Sequence, residues 1–469
     1  MRRTLALCAL AVLGTACADD TIHGAGNAGG GPPPGTPLWS RAFGRATALE
    51  DVVVAADAQG NVVVAGRFFA TADFGGGPVT SPANNYQAFV AKYDAGGALV
   101  WLQTPGDIYE EGIDQVGVDD AGNVYVGGSF RGVMTLGAQT LLSLGQTTNP
   151  FVAKLSPAGE WLWARQVRGG YGTVYSMVVD GGGAVTLLGE TSEGLDLGDG
   201  PLEISGPYLA KLDTAGAVQF AQPIKAENPA EYLYPAAIAL DPSTGGTVRL
   251  GQVYGEFGGS TTEVVHVDGA GNAQWSRQLA LGDNSAHTLA VGDDGTIYLA
   301  GWVYAPFDLG GGVAVPQPEN GAAMVLALAP DGTPRWVRTF DAELPEVYDD
   351  GTTYDLGVVA AYALAAVPEG GLVVTGTYHG AVDFGGGLEV SGPWGGMDEY
   401  DTWSGGADDV FVLGLDASGD YRWHEVFGGP RAQSATSVAM VGGDRMVVAG
   451  SGQGALTPYY EGFAVGLRR

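Results

Sequence analysis

One phrase occurs seven times in this chain and limits what it can become: an apolar run, a turn rich in Asp and Gly, and a second apolar run closing on Gly. It reads VVVAADAQGNVVVAGRF from Val52, VGVDDAGNVYVGGSF from Val116 and MVVDGGGAVTLLGE from Met177. It returns as AIALDPSTGGTVRLGQ from Ala237, LAVGDDGTIYLAGW from Leu289, LAAVPEGGLVVTGTY from Leu364 and VAMVGGDRMVVAGS from Val438. A second phrase follows each copy: AFVAKYDAGGALVW from Ala88, FVAKLSPAGEWLW from Phe151, YLAKLDTAGAVQF from Tyr208, VVHVDGAGNAQW from Val264, VLALAPDGTPRW from Val325, VFVLGLDASGDYRW from Val410, and a truncated GFAVGLRR from Gly462. Its closing aromatics are Trp101, Trp163, Phe220, Trp275, Trp336 and Trp423. Self-similarity at this period marks a repeat architecture.

Each unit predicts four short strands, two around each turn, with Gly or Asn at the turn positions that need a left-handed backbone. The 79 glycines in 469 residues fit many tight turns and few helices. The apolar runs are nearly continuous rather than alternating, which predicts strands buried on both faces. Small sheets packed face to face around an axis satisfy that. The expectation is an all-β, seven-bladed β-propeller of four-stranded blades. Unit seven stops after its third strand, and the missing Trp-bearing strand stands at the start as PLWSRAFG from Pro37. Pairing the two gives a 3+1 closure that removes two bare sheet edges and makes Trp39 the counterpart of the other aromatics.

The opening MRRTLALCALAVLGTACADD has two arginines, an apolar run from Leu5 to Leu13 and small residues around Cys17, the pattern of a signal peptide too short to span a membrane. LGTAC resembles a bacterial lipobox, with Gly14 where leucine is usual. Ala16-Cys17-Ala18 offers an ordinary secretory cut as the alternative. The resemblance implies lipid attachment at Cys17, and the other cysteine, Cys8, falls inside the signal. The domain reading is therefore 1–16 signal, 17–37 lipidated cysteine with a Gly/Pro-rich tether, and 38–469 one propeller domain. By resemblance to such lipoproteins, Ala18 after Cys17 implies the outer membrane or cell surface of a Gram-negative bacterium, with a secreted soluble form as the alternative.

VDDAGNVYVGG followed by FVAKLSPAGEWLW resembles the bacterial β-propeller repeat of the SBBP type, found in exported and surface proteins; the likeness covers Leu38 to Arg469. Its motifs are turn and core residues, so it implies a fold and no catalytic set. The K-L-D-x-x-G phrase is also similar to repeats of quinone-dependent dehydrogenase propellers, where eight units are usual and seven stand here.

Chemistry-bearing motifs are scarce. DFGGG at Asp73 matches the magnesium tripeptide of protein kinases, but it recurs as DLGDG at Asp196, DLGGG at Asp308 and DFGGG at Asp383, always after the second strand. With no H-R-D and four lysines, it reads as a turn. The histidines show no metal-ligand spacing, and no G-x-S-x-G occurs. The D-x-x-G turns lack the spacing and distal Glu of a calcium loop, so no cofactor is expected, with Ca2+ as an alternative occupant. The net charge of −31 leaves no basic patch for nucleic acid.

The interval from Trp336 to Trp423 is enlarged by two insertions. The second, GPWGGMDEYDTWSGGADD, gathers Trp394, Asp398, Tyr400, Asp401 and Trp403, whose rings and carboxylates suit a sugar, a peptide or a calcium ion. A shorter insertion, KAENPAEYLYP from Lys225, is a second candidate. The resulting expectation is a monomeric envelope lipoprotein, held to the membrane by its lipid and serving as a non-catalytic binding or scaffold module for an envelope protein or a polysaccharide. The alternative is a propeller lyase or hydrolase with its site at the channel mouth.

Overall fold

Most turns of the repeat are closed by an aspartate of their own. Asp57 Oδ1 accepts from the backbone N–H of Gln59 at 3.1 Å and of Asn61 at 2.8 Å, and Gly60 takes a φ of 86°. Asp94 does the same in the second turn, accepting from Gly96 and Ala98, both at 2.9 Å. A short carboxylate that captures donors two and four residues on fixes the reversal locally, so each strand pair starts from its turn.

The computed structural model describes the strand Ile22–Gly24 and residues 35–469, except 44–47, 83–84, 107–109, 144–147, 227, 229–230, 256–258, 283, 319–320, 344, 348–352, 356, 392–407, 429–431 and 454–459. The described residues contain no α-helix, and so none long and apolar enough to cross a membrane. They form six four-stranded sheets and one five-stranded sheet, each antiparallel, with small hairpins between them, and no sheet closes on itself. The first sheet is Leu49–Ala56, Val62–Phe68, Gln87–Tyr93 and Leu99–Gln103 in spatial order. The next five begin with Glu111–Val118, Gly172–Val179, Tyr232–Asp241, Ser285–Val291 and Val358–Ala366. Ile22–Gly24 adds a fifth strand to the outer edge of the sixth. The seventh combines Gln433–Val441, Arg445–Gln453 and Tyr460–Arg468 with Pro37–Ala42, where Trp39 lies opposite Gly466. Gly35 N–H donates to Arg468 O at 2.6 Å and Arg468 N–H to Thr36 O at 3.0 Å, so chain segments far apart in sequence rebuild a turn.

The continuous apolar runs are explained by the middle strands. Gln87–Tyr93, Asn149–Leu155, Ala322–Leu328 and Asp409–Leu415 are buried at every residue. Alternate side chains enter different cores: Phe89, Ala91 and Tyr93 pack between the seventh and first sheets, Ala88 and Val90 between the first and second. Seven such clusters lie between consecutive sheets, and the first strand of each sheet touches the first strands of both neighbours, including Leu49–Ala56 against Gln433–Val441.

The kinase-like tripeptide is a turn. Thr71–Asp73 pairs with Pro78–Thr80, and Asp73 Oδ1 accepts from Gly75 N at 2.8 Å and Gly77 N at 3.1 Å. Asp196, Asp308 and Asp383 accept from Gly198, Gly310 and Gly385 in the same way.

Four sheets place an acid beside a basic side chain behind the first turn, buried in all but the third, where Asp180 is 35% exposed. Lys92 Nζ lies 3.0 Å from Asp57 Oδ2, Lys154 3.8 Å from Asp119, Lys211 3.6 Å from Asp180, and His266 Nε2 2.9 Å from Asp241. In the other three sheets the equivalent positions hold Gly292 with Ala327, Val367 with Gly414, and Val441 with Gly466. Acid and base are present together or absent together.

Candidate functional site at the inner-strand ends

Every first, or inner, strand breaks register once against its partner. The unpaired residue is Asp114, Tyr175, Ala236, His287, Tyr362 or Thr436 in sheets two to seven. In the first sheet the break takes in Asp51 and Val52, with Asp51 at a φ of 56°. Bulges of this kind re-aim side chains, here at the end of the inner strands opposite the D-x-x-G turns.

A glycine stands opposite each break: Gly66, Gly128, Gly189, Gly251, Gly301, Gly376 and Gly450, the closing residue of the repeated phrase. A Cβ at Gly66 would come within 2.9 Å of Glu50 O, and at Gly251 within 3.1 Å of Tyr234 O. At Gly301, Gly376 and Gly450 it would collide with the carbonyls of Ser285, Ala360 and Ser434. The repeat's glycine thus exists for close backbone approach. The residue after it is Arg67, Ser129, Glu190, Gln252, Trp302, Thr377 or Ser451. Here a constant frame carries unlike chemistry.

These positions are linked around the inner strands. Gln115 Oε1 accepts from Met177 N at 3.2 Å, Ser176 Oγ from Ile238 N at 3.1 Å, and Ser437 Oγ from Val54 N at 3.1 Å. Gln252 Nε2 donates to Ala286 O at 3.3 Å, and His287 Nε2 to Ala361 O at 2.9 Å. Burial holds the His287 imidazole below its ordinary range, against the smaller pull of the Ala361 hydrogen bond.

Two constellations stand out. Arg67 bridges Glu50 at 2.7 Å and Asp51 at 2.9 Å and lies over the Tyr86 ring, whose hydroxyl donates to Glu50 at 2.7 Å. Glu50, Asp51, Val52, Val53, Asp114, Thr436 and Ser451 line a cavity of about 470 Å³ drawn from sheets one, two and seven. Asp114 is reachable by solvent yet walled in by protein on most sides. That desolvation, with Asp51 beside it, pushes its carboxyl up to about 7. Burial raises Asp51 too, although Arg67 opposes it.

The second constellation is aromatic. Tyr175 and Tyr232 donate to the two oxygens of Glu190 at 3.0 Å and 2.7 Å, and the Tyr234 ring lies 5.1 Å from that of Tyr175. Desolvation and the Glu190 carboxylate push the Tyr232 hydroxyl up to about 12, so it stays a donor at physiological pH. Tyr232 and Tyr234 belong to the segment KAENPAEYLYP, which the sequence marked as an insertion without singling out its rings.

A larger cavity, about 710 Å³, opens at the opposite edge between sheets six and seven, with Trp423 in its wall. Elsewhere the outer aromatic is covered by the next sheet's outer turn: Gly97 lies on Trp39, Gly159 on Trp101 and Gly419 on Trp336, and Trp101, Trp163 and Trp336 donate to turn carbonyls. In sheet seven that turn is the junction of two distant segments, which accounts for the gap. We therefore place the candidate site at the inner-strand ends.

Cys17 and the residues Trp394, Asp398, Tyr400, Asp401 and Trp403 lie outside the described residues. Among the described residues no group of three or more His, Cys, Asp or Glu side chains is placed to hold a metal ion.

Asp114 makes stability depend on pH. Its carboxyl is raised from an unfolded value of about 4 to about 7, so the folded state binds the proton more tightly. Its contribution is greatest below about pH 4 and is lost as pH rises to about 7. Asp114→Asn should match the parent at pH 4 and exceed it by roughly 1 kcal/mol at pH 8, a figure reduced for screening by cavity water. Buried Glu425, beside Glu389 and also pushed up to about 7, keeps its own slope in the variant. Urea titrations at pH 4, 6 and 8 check this, and parallel curves for the two proteins would assign the slope elsewhere.

No family model matches the chain, and no curated protein matches it. Solved structures similar to it include a protein of unknown function from Dyadobacter fermentans DSM 18053, 10% identical over 93% of this chain and 100% of that one, with a TM-score of 0.43. The Hadza microbial sialidase Hz136 is 9% identical over 90% of this chain and 66% of its own, with a TM-score of 0.38. A subtype N10 neuraminidase-like protein of A/little yellow-shouldered bat/Guatemala/060/2010 is 8% identical over 75% and 93%, with a TM-score of 0.36. Likenesses at this level fix neither family nor activity.

Proposed function

We propose that the seven sheets are the blades of one β-propeller, closed in 3+1 fashion by Pro37–Ala42, and that the protein is an exported binding module of the SBBP-repeat type. Support for the ring comes from the seven inter-sheet cores and from the contact of the last inner strand with the first. The N-terminal sequence supports export and a lipid anchor at Cys17, hence an address at the outer membrane or cell surface. Mass spectrometry of the mature chain would find a diacylglyceryl Cys17, and an unmodified chain starting at Asp19 would replace that reading with a secreted one.

The observation that carries the binding reading is the set of unlike side chains, Arg67 to Ser451, held at equivalent places on a repeated frame. Repetition of the frame serves folding, while divergence at one position serves recognition. The partner is an envelope protein or a polysaccharide. One observation favours a second reading. Desolvation and the neighbouring Asp51 push the Asp114 carboxyl up to about 7, so Asp114 as general acid and Asp51 as general base could serve a hydrolase or lyase.

The test is to incubate the purified full chain with polysaccharides and follow both retention and product release. Retention without products supports the module. Turnover abolished by Asp114→Asn replaces it with the enzyme. Neither retention nor turnover, together with no cross-linked envelope protein at this face, removes both.

A further inference from the structure

The described residues expose five large aromatic side chains, all tyrosines: Tyr171, Tyr232, Tyr234, Tyr254 and Tyr304, each at least 43% accessible. All stand at the same edge of the sheets, beside the start of an inner strand or the end of a second strand. Exposed aromatic surface is costly in water, so its concentration on one face points to something that covers it.

Four of the five, Tyr171, Tyr232, Tyr234 and Tyr254, stand at the strand ends of sheets three and four, the part of this edge that holds Glu190. Tyr232 and Tyr254 are cross-strand partners, which sets their rings side by side. The Tyr171 backbone is fixed by reciprocal hydrogen bonds with Ser192, two residues past Glu190: its N–H donates to Ser192 Oγ and its carbonyl accepts from Ser192 N, both at 2.9 Å. Tyr232 is tied to Glu190 and, with half-buried Tyr175, shares the two carboxylate oxygens. The hydroxyl bond of Tyr232 and the contact of the Tyr234 ring with Tyr175 hold two of these rings before a ligand arrives, so those two lose little freedom on binding.

The charge excludes one ligand class. Glu50, Asp51, Asp114 and Glu190 occupy this face, and its Arg67 is already engaged by two carboxylates. With a net charge of −31 on the chain, an anionic polymer would be repelled. An uncharged sugar ring with equatorial hydroxyls would not. Its apolar C–H face lies on an aromatic ring, and its hydroxyls donate to carboxylates.

We infer that Tyr171, Tyr232, Tyr234 and Tyr254, beside Glu190, form a subsite for the pyranose rings of a neutral glycan. The inference rests on the binding-module reading above and names its ligand class. Tyr232 and Tyr234, two apart on one strand, present successive platforms, and Glu190 orients hydroxyls between them.

Calorimetry and affinity electrophoresis of the full chain would use cellohexaose as the neutral probe and polygalacturonate as the anionic one. The expected result is binding of cellohexaose alone, with affinity lowered on the order of tenfold or more in Tyr232→Ala/Tyr234→Ala. Tyr232→Phe, which keeps the ring and removes the hydroxyl, should retain most of the affinity and shows whether a loss reflects packing. Unchanged melting of the double variant separates lost binding from lost folding. Preference for polygalacturonate, or cellohexaose binding indifferent to the double substitution, overturns the glycan inference. If cellohexaose is not bound but an envelope protein is cross-linked at Tyr232, the glycan inference fails while the binding module survives. If nothing is bound at this face, both fail.

Discussion

Gly301→Ala should unfold this protein more readily than almost any other single-methyl addition, lowering its stability by roughly 3 kcal/mol or more. The added Cβ would fall on the carbonyl of Ser285, which is backbone and cannot rotate aside. Gly376→Ala and Gly450→Ala meet the carbonyls of Ala360 and Ser434 in the same way and should cost similar amounts. Gly66→Ala and Gly251→Ala supply the internal control. Their nearest carbonyls stand 2.9 Å and 3.1 Å from the new atom, so a small shift relieves them and roughly 1 kcal/mol is expected. Urea denaturation of the five variants should separate them into these two groups. Equal losses throughout would mean that the glycines serve chain flexibility and not the close approach of the inner strand.

Lys92→Ala is the second large effect, expected at about 3–5 kcal/mol because it leaves Asp57 charged in the interior. Both side chains are nearly inaccessible, at 5% and 2%. Burial alone would raise the Asp57 carboxyl, but hydrogen bonds from Asn61 and Lys92 outweigh it and hold the group below its usual range. The chain contains its own rescue: sheet five folds with Gly292 and Ala327 at the equivalent positions. Asp57→Asn/Lys92→Ala, which keeps the Oδ1 acceptor that closes the turn and removes both charges, should therefore recover much of the loss, because desolvating two charges costs nearly what their attraction returns. A double variant no more stable than Lys92→Ala would show that the pair is needed for more than mutual neutralisation. The joint presence and absence of acid and base in the seven copies then has a physical reason, since half a pair is the costly state.

Much of the fold was legible because its determinants are local. Asp57 and Asp94 close turns through N–H groups two and four residues away, so the D-x-x-G phrase could be read as a turn. The same reasoning identified the four DFG-like copies as turns, since Asp73 captures donors no further than Gly77. Runs such as Gln87–Tyr93 announced burial on both faces. The candidate site was less legible. The sequence directed notice to Trp394–Trp403 by their density, while the inner-strand residues are scattered and individually ordinary. A signal was present: aligned on their closing glycine, the copies agree before it and disagree just after it, at Arg67, Ser129, Glu190, Gln252, Trp302, Thr377 and Ser451.

The sequence by itself therefore determined the number of units, their strands and turns, and the glycine each unit needs, because periodicity and turn chemistry act over a few residues. Only the tertiary structure decided that Glu190 is shared by Tyr175 and Tyr232, that Arg67 joins Glu50 to Asp51, and that Asp114 faces the same cavity. Those contacts form when the sheets pack, and side chains tens of residues apart meet only where inner strands from different sheets converge.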